Sequence, residues 1–206
     1  VIMMYYMNAG GPLMWVLLLM SITALTIILD RAFFFFKKEG THNRNFEKDI
    51  IKEVQNGNID GAISICEKEK NSVGYVVKGF LTRCEKNMDF HYYDQLLKEI
   101  AFDEISSLER RLHLLGLIGN MATMVGLLGT VTGMIKAFKN LATFGAGDPT
   151  IVAGGISEAL ITTASGLIIA IPTIFAYNIF SKKIENAEGD IDKITTIIIN
   201  ILTGKK

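Results

Sequence analysis

The chain has 206 residues, of which 50% are hydrophobic, and its 21 basic residues balance its 21 acidic residues. With a mean hydropathy of +0.33, this composition excludes an intrinsically disordered chain and a protein that binds nucleic acid through its charge. It is typical of a membrane protein, so we expect lipid rather than nucleic acid around it.

Three apolar runs are long enough to cross a bilayer, which takes about 20 helical residues. In the first run, Asp30 and Arg31 are the only charged residues before residue 37. We expect a transmembrane helix here rather than a cleaved signal peptide, because the run is too long and lacks a charged start and a cleavage site. The chain begins with valine rather than methionine, so we expect residues to precede it. The second run lies between Arg111 and Lys136, and the third begins at residue 151.

The segments between and after the runs carry helical patterns rather than strand-like alternation. One short amphipathic helix begins near Asn58 and Asp60, either of which is a suitable N-cap. From Tyr92 onward an apolar stripe continues into the second run without Pro or Gly, which predicts one unbroken helix. After the third run, isoleucine and alanine recur with heptad spacing. This spacing predicts a helix that packs on the long helix leading into the second run or on a neighbouring subunit.

These patterns predict an all-α membrane protein with three transmembrane helices, a helical cytoplasmic domain and long helices that extend from the membrane into the cytoplasm. Basic residues follow the first and third runs and precede the second, so the positive-inside rule puts the N-terminus outside and the C-terminus in the cytoplasm. The predicted segments are an N-terminal segment with the first transmembrane helix (1–36), the cytoplasmic domain (37–111), the second transmembrane helix (112–139), an outer loop (140–150), the third transmembrane helix (151–180) and a cytoplasmic C-terminal helix (181–206).

Small and polar residues gather on one face of the second run and on one face of the third. Such faces allow transmembrane helices to pack closely, and intramembrane threonine hydroxyls can also bond to their own backbone. We interpret the glycines as packing residues, namely Gly126, Gly129, Gly133, Gly155 and Gly166.

Glu158 is the only acidic residue of the third run. Insertion scales put the cost of a carboxylate there at roughly 2.5–3.5 kcal/mol, so its side chain is expected to face protein or a water-filled path rather than lipid. Hydroxyls beside a carboxylate are the ingredients of a hydrated ion path. The predicted ion-path residues are Thr130, Glu158, Thr162 and Thr163.

The sequence holds no nucleotide-binding motif, no metal-ligand spacing and no combination of nucleophile and base. We therefore expect no catalytic residues, no metal and no cofactor, and we do not expect an enzyme.

Two blocks of the sequence closely resemble the MotA/TolQ/ExbB proton-channel family. They are GLLGTVTGM at residues 126–134 and GISEALITT at 155–163, with AIPTIFAYN following at 170–178. The resemblance covers nearly the whole chain, and its size and three spans are more similar to ExbB and TolQ than to the four-span MotA stators. Thr123 and Thr132 depart from the common pattern, as does Gly154, and the extra hydroxyls leave the coupling ion open between proton and sodium.

The resemblance implies a homopentamer in the bacterial inner membrane, with a periplasmic N-terminus. Its pore would hold two copies of a single-span ExbD- or TolR-like partner, whose intramembrane aspartate carries the ion. Thr130 and Thr163 match the pore threonines, and Glu158 matches the motif glutamate. No aspartate lies in the core of any run, which fits a carrier supplied by the partner.

The function implied by this resemblance is that of an ExbB-like stator. It would use the proton or sodium motive force to energise a TonB-like protein for outer-membrane transport. Two alternatives stay open: a TolQ-like subunit of an envelope-maintenance motor that acts on a TolA-like protein, and a non-conducting membrane scaffold. A small secondary transporter fits less well, because the three spans contain no inverted repeat.

Overall fold

The computed structural model describes residues 7, 9–38, 45–69, 71–85, 88–145 and 149–204. Parts of the predicted segments 1–36, 37–111, 140–150 and 181–206 lie outside these described residues. In chain order, the helices are α1 (Leu13–Lys38), α2 (Phe46–Gln55), α3 (Ile59–Lys68), α4 (Ser72–Arg83), α5 (Phe90–Glu109), α6 (Leu112–Phe144) and α7 (Pro149–Leu202).

Within the described residues, three stretches of helix are long and apolar enough to cross a membrane: α1, the α5–α6 stretch and α7. The described residues contain no strand. Together these findings confirm the predicted all-α membrane fold. Beyond the predicted second span, α6 continues to Phe144.

The chain divides into two compact units. The membrane unit contains Val1–Asp30 and Arg111–Ile179, and the extramembrane unit contains Arg31–Arg110 and Phe180–Lys206. Both α1 and α7 contribute residues to each unit.

Asparagine side chains cap two short helices of the extramembrane unit. The side chain of Asn58 accepts a hydrogen bond from the backbone N–H of Gly61 at 3.1 Å, and that of Asn71 accepts one from Gly74 at 2.8 Å. Each cap satisfies an N–H group that has no partner inside its helix. Of the two predicted caps of α3, the structure thus selects Asn58, while Asp60 lies in the first turn.

The second half of α7 completes the core of the extramembrane unit. Its Ile191, Ile194 and Ile198 belong to one buried cluster with Phe80 of α4 and Tyr93 of α5. The heptad pattern therefore serves packing within the chain, which confirms the first of the two predicted partners. A neighbouring subunit is not needed to cover this face of α7.

The prediction of one unbroken helix from residue 92 into the second span is wrong at one point. The helix α5 ends at Glu109 and α6 begins at Leu112, because the backbone of Arg111 lies in the left-handed region at φ 65°. The guanidinium of Arg111 pairs with the Asp30 carboxylate at 3.1 Å. This ion pair accompanies a backbone conformation that rarely occurs outside glycine, asparagine and aspartate.

Charged side chains are buried within the extramembrane unit. Glu104, which is 4% exposed, pairs with the ammonium of Lys38 at 2.6 Å. The buried guanidinium of Arg31 donates a hydrogen bond to the Leu108 carbonyl at 3.5 Å and lies 4.7 Å from the centre of the Phe34 ring. These contacts compensate charges that would be costly to bury alone.

Candidate ion-path site

Glycines bring α6 and α7 into close contact within the membrane unit. A Cβ added to Gly166 would lie 2.6 Å from the Ala122 carbonyl oxygen and 2.9 Å from the Gly126 Cα. A Cβ added to Gly155 would lie 2.7 Å from the Cβ of Ala137. Since some of these neighbours are backbone atoms, they cannot rotate away.

The same contact continues at the other two predicted packing positions. A Cβ at Gly129 would collide with the side chain of Thr162, and one at Gly133 would lie 2.7 Å from the Cβ of Ala159. We call this line of contact the glycine seam. It consists of Gly126, Gly129 and Gly133 of α6 and Gly155 and Gly166 of α7.

Two threonines of α7 direct their hydroxyls to backbone carbonyls at the seam. The Thr163 hydroxyl donates to the Gly126 carbonyl of α6 at 2.8 Å. The Thr162 hydroxyl lies 2.9 Å from the Gly10 carbonyl and 2.8 Å from the Glu158 carbonyl, so its single proton is shared between two acceptors. Thr162 is 1% exposed, whereas Thr163 is half-buried. Thr163 therefore keeps more surface for contact with another molecule.

Glu158 has a charged partner on the facing helix. Its carboxylate Oε2 lies 2.5 Å from the ammonium of Lys136 on α6. The Glu158 side chain is 20% exposed and that of Lys136 is 58% exposed. The carboxylate also lies against Gly11, where an added Cβ would collide with Oε1. Gly11 has φ 72°, a conformation that glycine adopts without strain.

The Thr130 hydroxyl bonds within α6 rather than to another helix. It donates to the Leu127 carbonyl at 2.6 Å. Thr130 lines a shallow, mostly apolar surface groove of about 520 Å³. The other residues that line this groove are Val131, Met134, Ile135 and Phe138.

A second, more polar cavity of about 420 Å³ lies between the start of α6 and the middle of α7. Its polar side chains are His113, Asn120, Tyr177 and Asn178. Sequence reasoning did not group these residues, because they come from two helices whose relative register is set by packing.

Sequence reasoning also missed the surroundings of Glu158. Lys136 continues the face of α6 that holds Gly129 and Gly133, at steps of four and three residues. This spacing is a signal that could have revealed it. The adjacent glycines Gly10 and Gly11 just before α1 are a signal for a turn.

The described ion-path residues offer polar contacts and charge. The described residues contain no group of three or more His, Cys, Asp or Glu side chains placed to hold a metal ion. Hydroxyls that can donate or accept, together with one carboxylate paired to an ammonium, are suited to stabilising a passing or bound charge.

The sequence profile of the MotA/TolQ/ExbB proton channel family matches residues 68–193, more than half of the chain. The Tol-Pal system protein TolQ of Haemophilus influenzae is 44% identical over 108 residues, which cover 50% of this chain and 46% of TolQ. The biopolymer transport protein ExbB of Xanthomonas campestris is 42% identical over 91 residues, which cover 44% of this chain and 36% of ExbB.

A longer match joins this chain to an ExbB-like biopolymer transport protein of Synechocystis. The two are 31% identical over 175 residues, which cover 82% of this chain and 67% of the relative. With TolQ and ExbB, by contrast, the matched part spans less than half the length of the relative.

Proposed function

The chain belongs to the MotA/TolQ/ExbB proton channel family, and from this membership we propose that it is an ExbB-like subunit of an inner-membrane complex that converts ion flow into mechanical work. It is a multi-pass membrane protein of the ExbB/TolQ type. The ion, in this proposal, is a proton or sodium. The protein that receives the work is a TonB-like protein that reaches across the periplasm.

One observation carries this proposal: the spans hold hydroxyls, while Asp30 and Glu158, the carboxylates of the three apolar runs, are each paired with a basic side chain. Thr163 keeps a half-buried hydroxyl at the seam, and Thr130 lies at a surface groove. No aspartate lies in residues 112–144 or 149–179, and Asp30 at the edge of the first run is paired with Arg111. The carboxylate that carries the ion is therefore expected from a second protein.

We propose that this second protein is an ExbD- or TolR-like chain with a single span and an intramembrane aspartate. Five copies of the present chain would surround two copies of that partner, and Thr130 and Thr163 would offer hydroxyls to its aspartate. An elementary charge that crosses about 100 mV releases roughly 2.3 kcal/mol, so a few ions supply useful work without nucleotide chemistry. In this proposal the chain itself is not an enzyme.

The test is to co-express the chain with a single-span, aspartate-bearing protein of the ExbD or TolR type from the same genome and to measure the mass of the purified complex by native mass spectrometry. We expect five copies with two partner chains. A monomer or dimer that does not retain the partner would contradict the proposal.

Ion transfer is then measured in liposomes that contain the complex. We expect Thr163→Val and Thr130→Val to assemble but to move fewer ions. Thr26→Val is the matched control, since the Thr26 hydroxyl on α1 bonds to the Ile22 carbonyl of its own helix. Undiminished flux in both pore variants would remove them from the ion path. Full activity of Glu158→Gln as well would favour a non-conducting scaffold.

The match to the Tol-Pal system protein TolQ supports a second candidate function. In this alternative the same ion-driven subunit belongs to a motor that maintains the cell envelope through a TolA-like protein. Complementation separates the two candidates: rescue of a strain that lacks its TolQ, without rescue of one that lacks its ExbB, would favour the envelope motor.

A further inference from the structure

The ion pair between Lys136 and Glu158 joins groups of unequal exposure. The carboxylate lies against the Gly11 backbone and is 20% exposed, while the Lys136 side chain is 58% exposed. The lysine reaches the carboxylate from the surface of α6 on a flexible stem, so its ammonium can leave without disturbing the helix packing. The hydroxyls of Thr162 and Thr163, by contrast, are fixed to backbone carbonyls.

The charges of Lys136 and Glu158 determine whether free cations gather at this position. A carboxylate in an apolar helix pair attracts cations, and clefts lined by one sign of charge concentrate counter-ions. With the ammonium 2.5 Å away, the two charges cancel and the position next to the carboxylate is already occupied by a cation. Lys136 lies near the end of α6 that leads to α7, and Glu158 lies near the start of α7.

We propose that Lys136 is a specificity-determining residue of a proton-coupled complex, whose ammonium acts as a tethered cation that occupies the Glu158 carboxylate and keeps free metal cations away from this end of the ion path. The proposal rests on the proposed function, because it assigns a role within that path. It gives Glu158 the role of an electrostatic element rather than of an ion carrier.

The test measures potassium efflux and proton uptake by the reconstituted complex with its partner. We expect Lys136→Met to raise potassium efflux by roughly tenfold, at the lower end of the effect of an unbalanced charge in a cleft. Lys136→Arg, which keeps the charge, is expected to restore low efflux. Lys139→Met is the matched control, because it removes the same charge from an exposed position one turn further along α6.

A charge exchange separates selectivity from simple loss of structure. Lys136→Glu alone places two carboxylates together and is expected to destabilise the complex and to raise potassium efflux. Adding Glu158→Lys to it restores opposite charges, and we expect the double variant to recover both thermal stability and low efflux. A merely structural role would change stability without changing the ratio of potassium to proton flux.

The flux measurements distinguish a failure of the Lys136 proposal from a failure of the proposed function. Proton uptake by the wild-type complex with unchanged potassium efflux in Lys136→Met overturns the role of Lys136 and leaves the proposed function standing. Absence of any ion movement in the wild-type complex with its partner overturns the proposed function and this inference with it. A raised efflux that Lys136→Arg and the charge exchange both reverse supports the inference.

Discussion

At the scale of the residue, Thr163 shows how a single hydroxyl joins two spans. Its hydrogen bond to the Gly126 carbonyl, at 2.8 Å, crosses between α7 and α6. We expect Thr163→Val to lower the stability of the membrane unit by about 1 kcal/mol, within the range measured for hydrogen bonds between transmembrane helices. Thermal unfolding of the purified complex measures the change.

Thr163→Ser serves as the matched control, because it keeps the hydroxyl and removes only a methyl group. We expect it to retain most of the stability and of the ion flux. Equal stability of Thr163→Val and the wild type would mean that the interhelix hydrogen bond contributes nothing.

The two cysteines differ in burial, and their reactivity is expected to differ accordingly. Burial raises the pKa of the Cys66 thiol from 9.0 to about 12. It also raises the pKa of Cys84, which is only partly buried. The thiolate is the reactive form, and burial keeps the Cys66 thiol protonated at pH 8. We expect a maleimide to label Cys84 much faster than Cys66, as measured by mass spectrometry of the native protein.

The same pKa shift links Cys66 to stability at alkaline pH. Its folded-state pKa lies above its unfolded value of 9.0. The stabilising contribution is therefore complete below pH 9 and is lost as the pH rises toward 12. Cys66→Ala should show a shallower fall in melting temperature above pH 9 than the wild type. A parallel fall in both proteins would contradict this account.

Single residues also mark the limit of the sequence prediction. Glu158 stands out because a lone carboxylate in an apolar run is costly. Its partner Lys136 does not, since a lysine near the end of a span is ordinary and the pairing depends on how α6 and α7 align. The Gly11 backbone against the carboxylate is a tertiary contact over many residues, which periodicity does not encode.

At the scale of the element, the glycine seam predicts that α6 and α7 tolerate no larger side chain at their closest contact. We expect Gly166→Ala to destabilise the membrane unit by about 1–3 kcal/mol, the usual cost of overpacking, because its Cβ would meet backbone atoms of α6. Gly154→Ala is the control, since a Cβ there has no neighbour within 4 Å. Unfolding midpoints of the two variants give the comparison, and equal midpoints would contradict close packing at the seam.

The end of α7 allows a similar test of the extramembrane unit. Ile198 is fully buried in the core, whereas its neighbour Ile197 is only partly buried. We expect Ile198→Ala to cost about 2–5 kcal/mol of stability and Ile197→Ala to cost clearly less. Chemical denaturation followed by circular dichroism measures both losses. A larger effect at Ile197 would mean that the heptad face is covered from elsewhere.

Helix periodicity was sufficient to predict the elements but not all of their boundaries. The heptad spacing of α7 and the cap at Asn58 are local patterns, and both appear in the structure. The helix break at Arg111 contains neither glycine nor proline, the residues that would have indicated it in the sequence. It coincides with an ion pair to Asp30, a residue 81 positions away, so local sequence could not reveal it.

At the scale of the whole molecule, the distribution of basic residues makes a prediction about orientation. Lys182 and Lys183 follow the third span, which favours a cytoplasmic C-terminus. A fluorescent protein fused after residue 204 should therefore be fluorescent. Alkaline phosphatase inserted after Gly145, between α6 and α7, should be active because that loop would lie outside. The reverse pattern would invert the proposed topology and the direction of ion flow.

The glycine seam has a consequence for how cells make this protein. The space between α6 and α7 at Gly126 and Gly166 is narrower than a methyl group, so it does not admit a water molecule. A newly inserted copy thus offers no continuous aqueous route along the seam between α6 and α7. Copies made in excess of the partner would therefore open no leak of the transmembrane gradient through this contact between α6 and α7.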